Sequence, residues 1–253
     1  MSAPASPPSV PASRRPHGHR NLILVAIGIV AVVAVAAGGY GLWFILIGPS
    51  SPASVTAAFP TGAEIAAPAT PDGSWTVSTT LGSIDAGTSS FAGYRVQELL
   101  VGVGGHTAVG RTTKISGSMT LTGSVVSNVQ VTADLTALTS DQDNRDNQLK
   151  RQAIETDTYP TATFKTTQPI DLGTLPADGK TVSVNATGDF TLHGVTRNVT
   201  IALQVARHGG IIAVAGSLAI LFSDYSVQKP TSFSVLSVDD HGTMEFHLLF
   251  THA

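Results

Sequence analysis

Apolar and polar residues alternate along much of the chain from Trp75 onward. Residues 181–193 read TVSVNATGDFTLH, and every second position from Val182 to Leu192 is apolar or small. A period of two is the pattern of a β-strand that buries one face. The alternation resumes after His193 and Gly194, so the two segments are predicted to pair as a hairpin.

Similar alternation recurs in residues 114–123, 126–135 and 243–252, whereas residues 210–222 are apolar on both faces. With turn signals between them, these segments predict roughly eight strands in an antiparallel, all-β fold. The pattern alone leaves two architectures open, a sandwich with a filled core and a hollow barrel. Aromatic residues make up only 6% of the chain, and small lining side chains would leave space inside a barrel.

Residues 22–47 carry no charge and are mostly aliphatic. About twenty such residues cross the hydrocarbon core of a bilayer as a helix, whereas the apolar part of a cleaved signal peptide usually has about 7–15. Arg14, Arg15 and Arg20 precede the segment, and the first acidic residue is Glu64. The positive-inside rule then predicts a single-pass plasma-membrane anchor with a cytoplasmic N-terminus and an extracytoplasmic C-terminal domain.

The chain divides into four predicted segments. Residues 1–21 and 48–73 are rich in Pro, Ala and Ser, which is typical of a disordered cytoplasmic tail and an extended linker, respectively. The transmembrane helix 22–47 lies between them, and residues 74–253 form the β-domain.

The composition excludes several classes of function. The net charge of −3 provides no strongly basic surface for nucleic acid. Because the chain has no cysteine, it has no disulfide, no thiolate metal site and no cysteine nucleophile.

The charge of the β-domain is concentrated in residues 141–157. Acidic residues come first and basic residues later, which suits the dipole of a helix over about residues 141–154. Ser140 and Asp143 have the spacing of a capping pair, and Asp146 and Lys150 lie one helical turn apart. The charged run is therefore interpreted as a capped helix on the barrel.

Three kinds of chemical site fit the sequence less well. A calcium loop that starts at Asp141 needs glycine at its sixth position, where the chain has Asp146. A glycosidase-like pair of carboxylates lacks an aromatic sugar platform. Asp189 and His193 have no G-x-S-x-G turn to present a serine, and the histidines show no metal-binding spacing. We therefore expect a protein that is not an enzyme, with no catalytic residue, metal or cofactor.

Two motifs carry a family resemblance. An R-D-x-x-L run at residues 145–149 is followed by Tyr159, Pro160 and Phe164, and residues 188–197 read G-x-x-T-L-x-G-V-T-R. In this order and separation the motifs resemble the YceI-like family of polyisoprenoid-binding, lipocalin-like proteins, over about residues 75–250.

The resemblance implies an eight-stranded antiparallel barrel outside the cytoplasm, with a short helix over it. It also implies a lumen that holds a long isoprenoid or another amphiphilic lipid. The chain departs from the family pattern in the stretch FSDYS, where Phe222 replaces a common arginine and Ser226 a glycine. The opening stretch of residues 81–100 also differs from the family pattern.

Nine apolar residues on the inward stripes are predicted to bind the lipid: Val182, Val184, Phe190, Leu192, Val199, Ile201, Leu203, Phe246 and Leu248. A polar headgroup is expected at the mouth, near Arg95, Arg111 or Arg145. Two other classes stay open, an envelope module that binds protein and has a filled core, and an enzyme that acts on a barrel-bound lipid. The sequence leaves the oligomeric state open.

Overall fold

The computed structural model describes residues 52–62, 64–102, 104–231 and 235–253. The predicted cytoplasmic tail and transmembrane helix, residues 1–47, lie outside the described residues. Within the described ranges, no helix has the length and apolar character needed to cross a membrane.

These ranges contain twelve strands and one short α-helix. The strands are β1 (Gly73–Val77), β2 (Phe91–Leu100), β3 (Gly104–Thr112), β4 (Ile115–Thr122), β5 (Val125–Asp134), β6 (Thr161–Thr166), β7 (Ile170–Asp171), β8 (Thr181–Leu192), β9 (Val195–His208), β10 (Ile211–Leu221), β11 (Val235–Val238) and β12 (His241–His252). The helix α1 (Asp143–Gln148) continues as a π-helical turn, Leu149–Ala153. Short 3₁₀ turns are found at Leu135–Ala137 and Phe222–Tyr225.

The strands close into an antiparallel barrel. The sheet runs β1-β4-β5-β6-β8-β9-β10-β12, and a further pairing of β12 with β1 completes the ring. β2 pairs with β12 next to β1, β3 pairs with β2, and β7 pairs with β5. The twelve strands thus occupy eight positions around the barrel, and the predicted eight-stranded, all-β fold is confirmed.

β8 and β9 form the predicted hairpin. They pair over their full length, from Thr181 with Ala206 to Leu192 with Val195. His193 and Gly194 form the turn with φ angles of 51° and 73°, a left-handed conformation that suits a two-residue hairpin. Phe190 and Ile201 therefore lie on the inward face of the hairpin, where both are buried.

The helix begins differently from the prediction. Gln142, and not Ser140, occupies the N-cap, and its side chain makes no capping hydrogen bond. Asp146 is buried and accepts a hydrogen bond from the backbone N–H of Ser140, while Arg145 pairs with Asp141 one turn earlier. The predicted capping pair of Ser140 and Asp143 and the predicted Asp146–Lys150 pair are thus wrong, because the Asp146 carboxylate accepts its hydrogen bond from the Ser140 backbone instead.

Residues 52–62 and 64–66, which we call the strap, lie on the outer surface of the barrel. The strap has no helix or strand and belongs to the segment interpreted as a linker. Its Ala57 and Phe59 pack against Ile211 and Leu249. Because the strap covers this surface, β10 is buried on both faces from Ile211 to Gly216, which explains its doubly apolar sequence.

Candidate functional site

The barrel encloses an almost entirely apolar cavity of about 230 Å³. An engineered apolar protein cavity of about 150 Å³ stays dry and binds benzene, so a larger cavity of the same character suits hydrocarbon. Small residues such as Ala133 and Ala186 on its wall leave this space open. The open-barrel alternative is therefore favoured over the filled core.

The cavity extends along the barrel. At one end, the helical end, its wall includes Leu149 and Ile154, which come from the π-helical turn and the residue after it. At the other, the far end, its wall includes Leu175 and Arg207. On β9 the wall residues run from Ile201 to Arg207, so the cavity follows about 20 Å of this strand alone. An elongated apolar lumen fits a chain better than a compact ligand.

Six of the nine predicted ligand-binding residues lie on the cavity wall. They are Phe190, Leu192, Ile201, Leu203, Phe246 and Leu248. The other three, Val182, Val184 and Val199, are half-buried and pack against the same apolar core without reaching the wall. Alternation therefore identified the inward faces, while the packing of neighbouring side chains selected which residues border the space.

A buried ion pair lies on the cavity wall at the helical end. Glu98 of β2 is buried, and its Oε1 accepts hydrogen bonds from Arg145 Nη2 at 2.5 Å and from His106 Nδ1 at 3.1 Å. Arg145 also donates a hydrogen bond to Asp141. Burial alone would lower the pKa of Arg145, but the hydrogen bonds and charges of Glu98 and Asp141 raise it, so this arginine stays protonated.

Sequence reasoning missed Tyr94 and Glu98, although a signal was present. In the stretch FAGYRVQEL, Ala92, Tyr94, Val96 and Glu98 fall on one face, and all four line the cavity. A glutamate on the same strand face as apolar residues indicates a buried charge, which is rare unless the charge is paired. Its partner Arg145 is 47 residues away, and only the fold brings them together.

Arg95 and Arg111 lie outside the lumen. Both point to the outer surface, where each pairs with Glu245 at 2.7 Å. The carbonyl oxygen of Ala53 in the strap accepts hydrogen bonds from both guanidinium groups, at 2.7 Å from Arg95 and 3.3 Å from Arg111. Of the three arginines expected near a headgroup, Arg145 is therefore the one on the cavity wall.

The two residues considered for a hydrolytic triad have other hydrogen-bond partners. Asp189 accepts a hydrogen bond from Asn198, whereas His193 contacts Glu155 and the carbonyl oxygen of Tyr225. No group of three or more potential metal ligands occurs within the described ranges. Phe222, at the departure from the family pattern, lines the cavity as an apolar side chain.

A family model for the YceI-like domain matches residues 75–250. The chain belongs to the YceI-like domain family. The match covers the closed barrel from Trp75 in β1 to Phe250 in β12, so the resemblance drawn from the two motifs is confirmed.

Curated relatives of the YceI-like domain include UPF0312 proteins of Vibrio. One from Vibrio parahaemolyticus is 30% identical over 122 residues, which is 46% of this chain and 61% of that protein. One from Vibrio campbellii is 37% identical over 84 residues, which is 33% of this chain and 41% of that protein. The matched regions span less than two thirds of these relatives.

A solved structure similar to the YceI-like domain is a polyisoprenoid binding domain from Saccharophagus degradans, implicated in plant cell wall breakdown. It has a TM-score of 0.52 and 19% identity, and the match covers 71% of this chain and 98% of that one. At this identity the likeness supports the barrel fold alone.

Proposed function

We propose that this protein binds a polyisoprenoid or a similar amphiphilic lipid and holds its chain in the barrel lumen. The observation that carries the proposal is the elongated, almost entirely apolar cavity inside a YceI-like domain. The Saccharophagus degradans domain of the same fold is described as polyisoprenoid binding, which agrees with this ligand class.

The binding energy would come from the hydrophobic effect. Each methylene group that leaves water for the lumen contributes about 0.8 kcal/mol. Association of a small ligand costs several kcal/mol in lost freedom, so a chain of about ten or more carbons is needed for useful affinity. The six wall residues named above, with Phe190 and Phe246 as the largest, would make these contacts.

We further propose that the barrel acts outside the cytoplasm and is tethered by residues 22–47. The uncharged length of this segment supports a membrane span, and the arginines before it support a cytoplasmic N-terminus. A tethered barrel near a bilayer would carry, store or sequester a lipid taken from that membrane.

The test is to purify the full chain, extract it with organic solvent and identify the released lipid by mass spectrometry. A stoichiometric isoprenoid or other long-chain lipid is the expected result. Leu203→Trp should reduce the lipid content at least tenfold, because the indole would occupy the lumen. Thr200→Trp is the matched control, since Thr200 lies on the exposed face of the same strand.

Lipid-free protein that also takes up no added lipid would contradict the proposal and favour a protein-binding module. Chemical conversion of an added lipid would favour the enzyme instead.

A further inference from the structure

Exposed apolar side chains are concentrated at the helical end of the barrel. Among the described residues, seven large apolar side chains are exposed. Four of them are between 41% and 64% exposed, and we call these four the apolar rim: Leu99, Val101, Leu221 and Leu236. The other three are only 36% or 37% exposed and are separate from one another, in the strap, in the loop before β2 and at the start of β5.

Strand pairing brings the members of the apolar rim together. Leu236 lies at a bulge in β11, where this strand pairs with Leu99 and Leu100 of β2. Val101 is the residue directly after β2. Leu221 is the last residue of β10 and pairs with the first residue of β12, next to the point where β11 leads into β12. The four side chains therefore share one edge of the barrel.

The apolar rim borders the lumen. Glu98 lines the cavity at the helical end, whereas the next residue, Leu99, is exposed. In the same way, Ile220 and Phe222 lie on the cavity wall on either side of the exposed Leu221. Successive side chains of a strand point to opposite faces, so the rim forms the outside of the same wall that encloses the cavity.

The strap begins on the helical half of the barrel. The carbonyl oxygen of Pro52 accepts a hydrogen bond from Arg95 of β2. Arg95 lies four residues before Leu99, so roughly 13 Å of strand separates the start of the strap from the rim. The strap then runs to the far end, where the carbonyl oxygen of Ile65 accepts a hydrogen bond from Gly210 in the β9–β10 turn.

The proposed anchor ends close to the start of the strap. The uncharged segment ends at Ile47, five residues before Pro52. An extended chain spans at most about 3.5 Å per residue, so this connection reaches at most roughly 17 Å. The far end is more distant, because β12 continues for roughly 24 Å beyond Glu245, the partner of Arg95. A membrane that holds the anchor would therefore meet the helical end first.

We propose that the apolar rim docks on the outer face of the phospholipid bilayer that holds the anchor, and that lipid enters and leaves the lumen at this end. Apolar side chains gain free energy when they leave water for the boundary between headgroups and acyl chains. This inference rests on the proposed function of a tethered lipid-binding barrel, and it adds the surface and the orientation with which the barrel meets the membrane.

The charges beside the rim indicate that docking is hydrophobic. Asp239 and Asp240 connect β11 to β12, and both carboxylates are exposed and lie next to His241. Acidic side chains do not attract the anionic lipids to which basic surfaces bind. Docking should therefore occur on zwitterionic phosphatidylcholine and change little with salt, since salt screens charges and not apolar contacts.

Site-specific labels can test this orientation, because the chain has no cysteine of its own. Leu236→Cys places a fluorescent label on the rim, and Val125→Cys places it at the far end as the matched control. Each labelled full chain is reconstituted into phosphatidylcholine vesicles that contain a nitroxide-labelled phospholipid. The lipid should quench the Leu236→Cys label at least threefold more than the Val125→Cys label, at low and at high salt.

A second measurement follows the lipid itself. The double variant Leu99→Ser and Leu236→Ser should take up lipid from vesicles about tenfold more slowly, because the barrel docks less often. Its lipid content at equilibrium should be unchanged, since neither residue lies on the cavity wall. Val125→Ser is the matched control and should take up lipid at the unaltered rate.

Equal quenching of the two labels, or stronger quenching at Val125, would overturn the rim as the docking surface and leave lipid binding intact. Absence of quenching in chains that float with the vesicles would overturn docking and retain the anchor, whereas chains that do not float would overturn both. A quenched rim label on a protein that takes up no lipid would overturn the lipid route together with the proposed lipid-binding function.

Discussion

Replacing Glu245 with glutamine should strongly destabilise the barrel. The Glu245 side chain is only 2% exposed, and its two oxygens accept hydrogen bonds from Arg95 and Arg111. The three residues lie on the neighbouring strands β12, β2 and β3, and Arg111 also lies 4.2 Å over the Phe91 ring. The cluster thus connects three strands beneath the strap.

The magnitude follows from what the substitution leaves behind. A glutamine has one acceptor oxygen, so one arginine keeps a partner while the amide NH₂ faces the other guanidinium. Both arginine side chains are less than a fifth exposed, at 17% and 11%, so solvent would only partly screen the unpaired charge. Breaking a buried ion pair in this way costs about 3–5 kcal/mol. For a domain of this size the midpoint of thermal unfolding should fall by roughly 10 °C.

Thermal and urea unfolding of the full chain measure this effect. Asp224→Asn is the matched control, since the Arg197–Asp224 pair is exposed and should contribute under about 1 kcal/mol. A loss below about 1 kcal/mol for Glu245→Gln, equal to that of the control, would refute the reasoning that burial makes this cluster important.

Three further results are expected. Deleting the strap should cost at least about 3 kcal/mol in unfolding experiments, because it uncovers apolar side chains and the arginine cluster; unchanged stability would mean that the strap does not pack in solution. Burial lowers the pKa of His247, against the opposing effect of its hydrogen bonds to the Ser89 and Ala58 carbonyl oxygens, so the unfolded chain binds a proton more readily. Stability should therefore fall as pH drops below about 6.5, and His247→Gln should flatten this part of the urea-midpoint profile; an unchanged slope would contradict it. Gly110→Ala should cost about 1–3 kcal/mol in thermal unfolding, because the added methyl group would lie 2.3 Å from the ring of Tyr94 on the neighbouring strand; an unaffected midpoint would mean that the Tyr94 ring moves aside freely.

The helix illustrates the limits of local patterns. A helix against the barrel was predicted from the charged run, and its first turn does carry Asp143 and Asp146. The capping pair of Ser140 and Asp143 failed because the backbone N–H of Ser140 donates its hydrogen bond to the buried carboxylate of Asp146 instead. Capping rules describe an isolated helix in solvent, whereas here a second, buried carboxylate competes for the same N–H.

The candidate site shows the same limit of local sequence patterns. Period-two alternation places Ile201 and Leu203 on the inward face because successive side chains of any strand point in opposite directions. It does not distinguish them from Val199, which packs in the core away from the cavity wall. Which inward residues border open space depends on the volumes of side chains from several strands at once.

The sequence by itself determined the all-β class, the inward faces, the family and the absence of cysteine chemistry, because these depend on local periodicity, short motifs and composition. Tertiary structure decided the rest. It paired Glu98 with Arg145, placed Arg95 and Arg111 outside the lumen against the strap, and left the Tyr94 hydroxyl buried without a hydrogen-bond partner among the described residues. These arrangements join residues far apart in the chain, so they depend on barrel closure and register, which no local pattern contains.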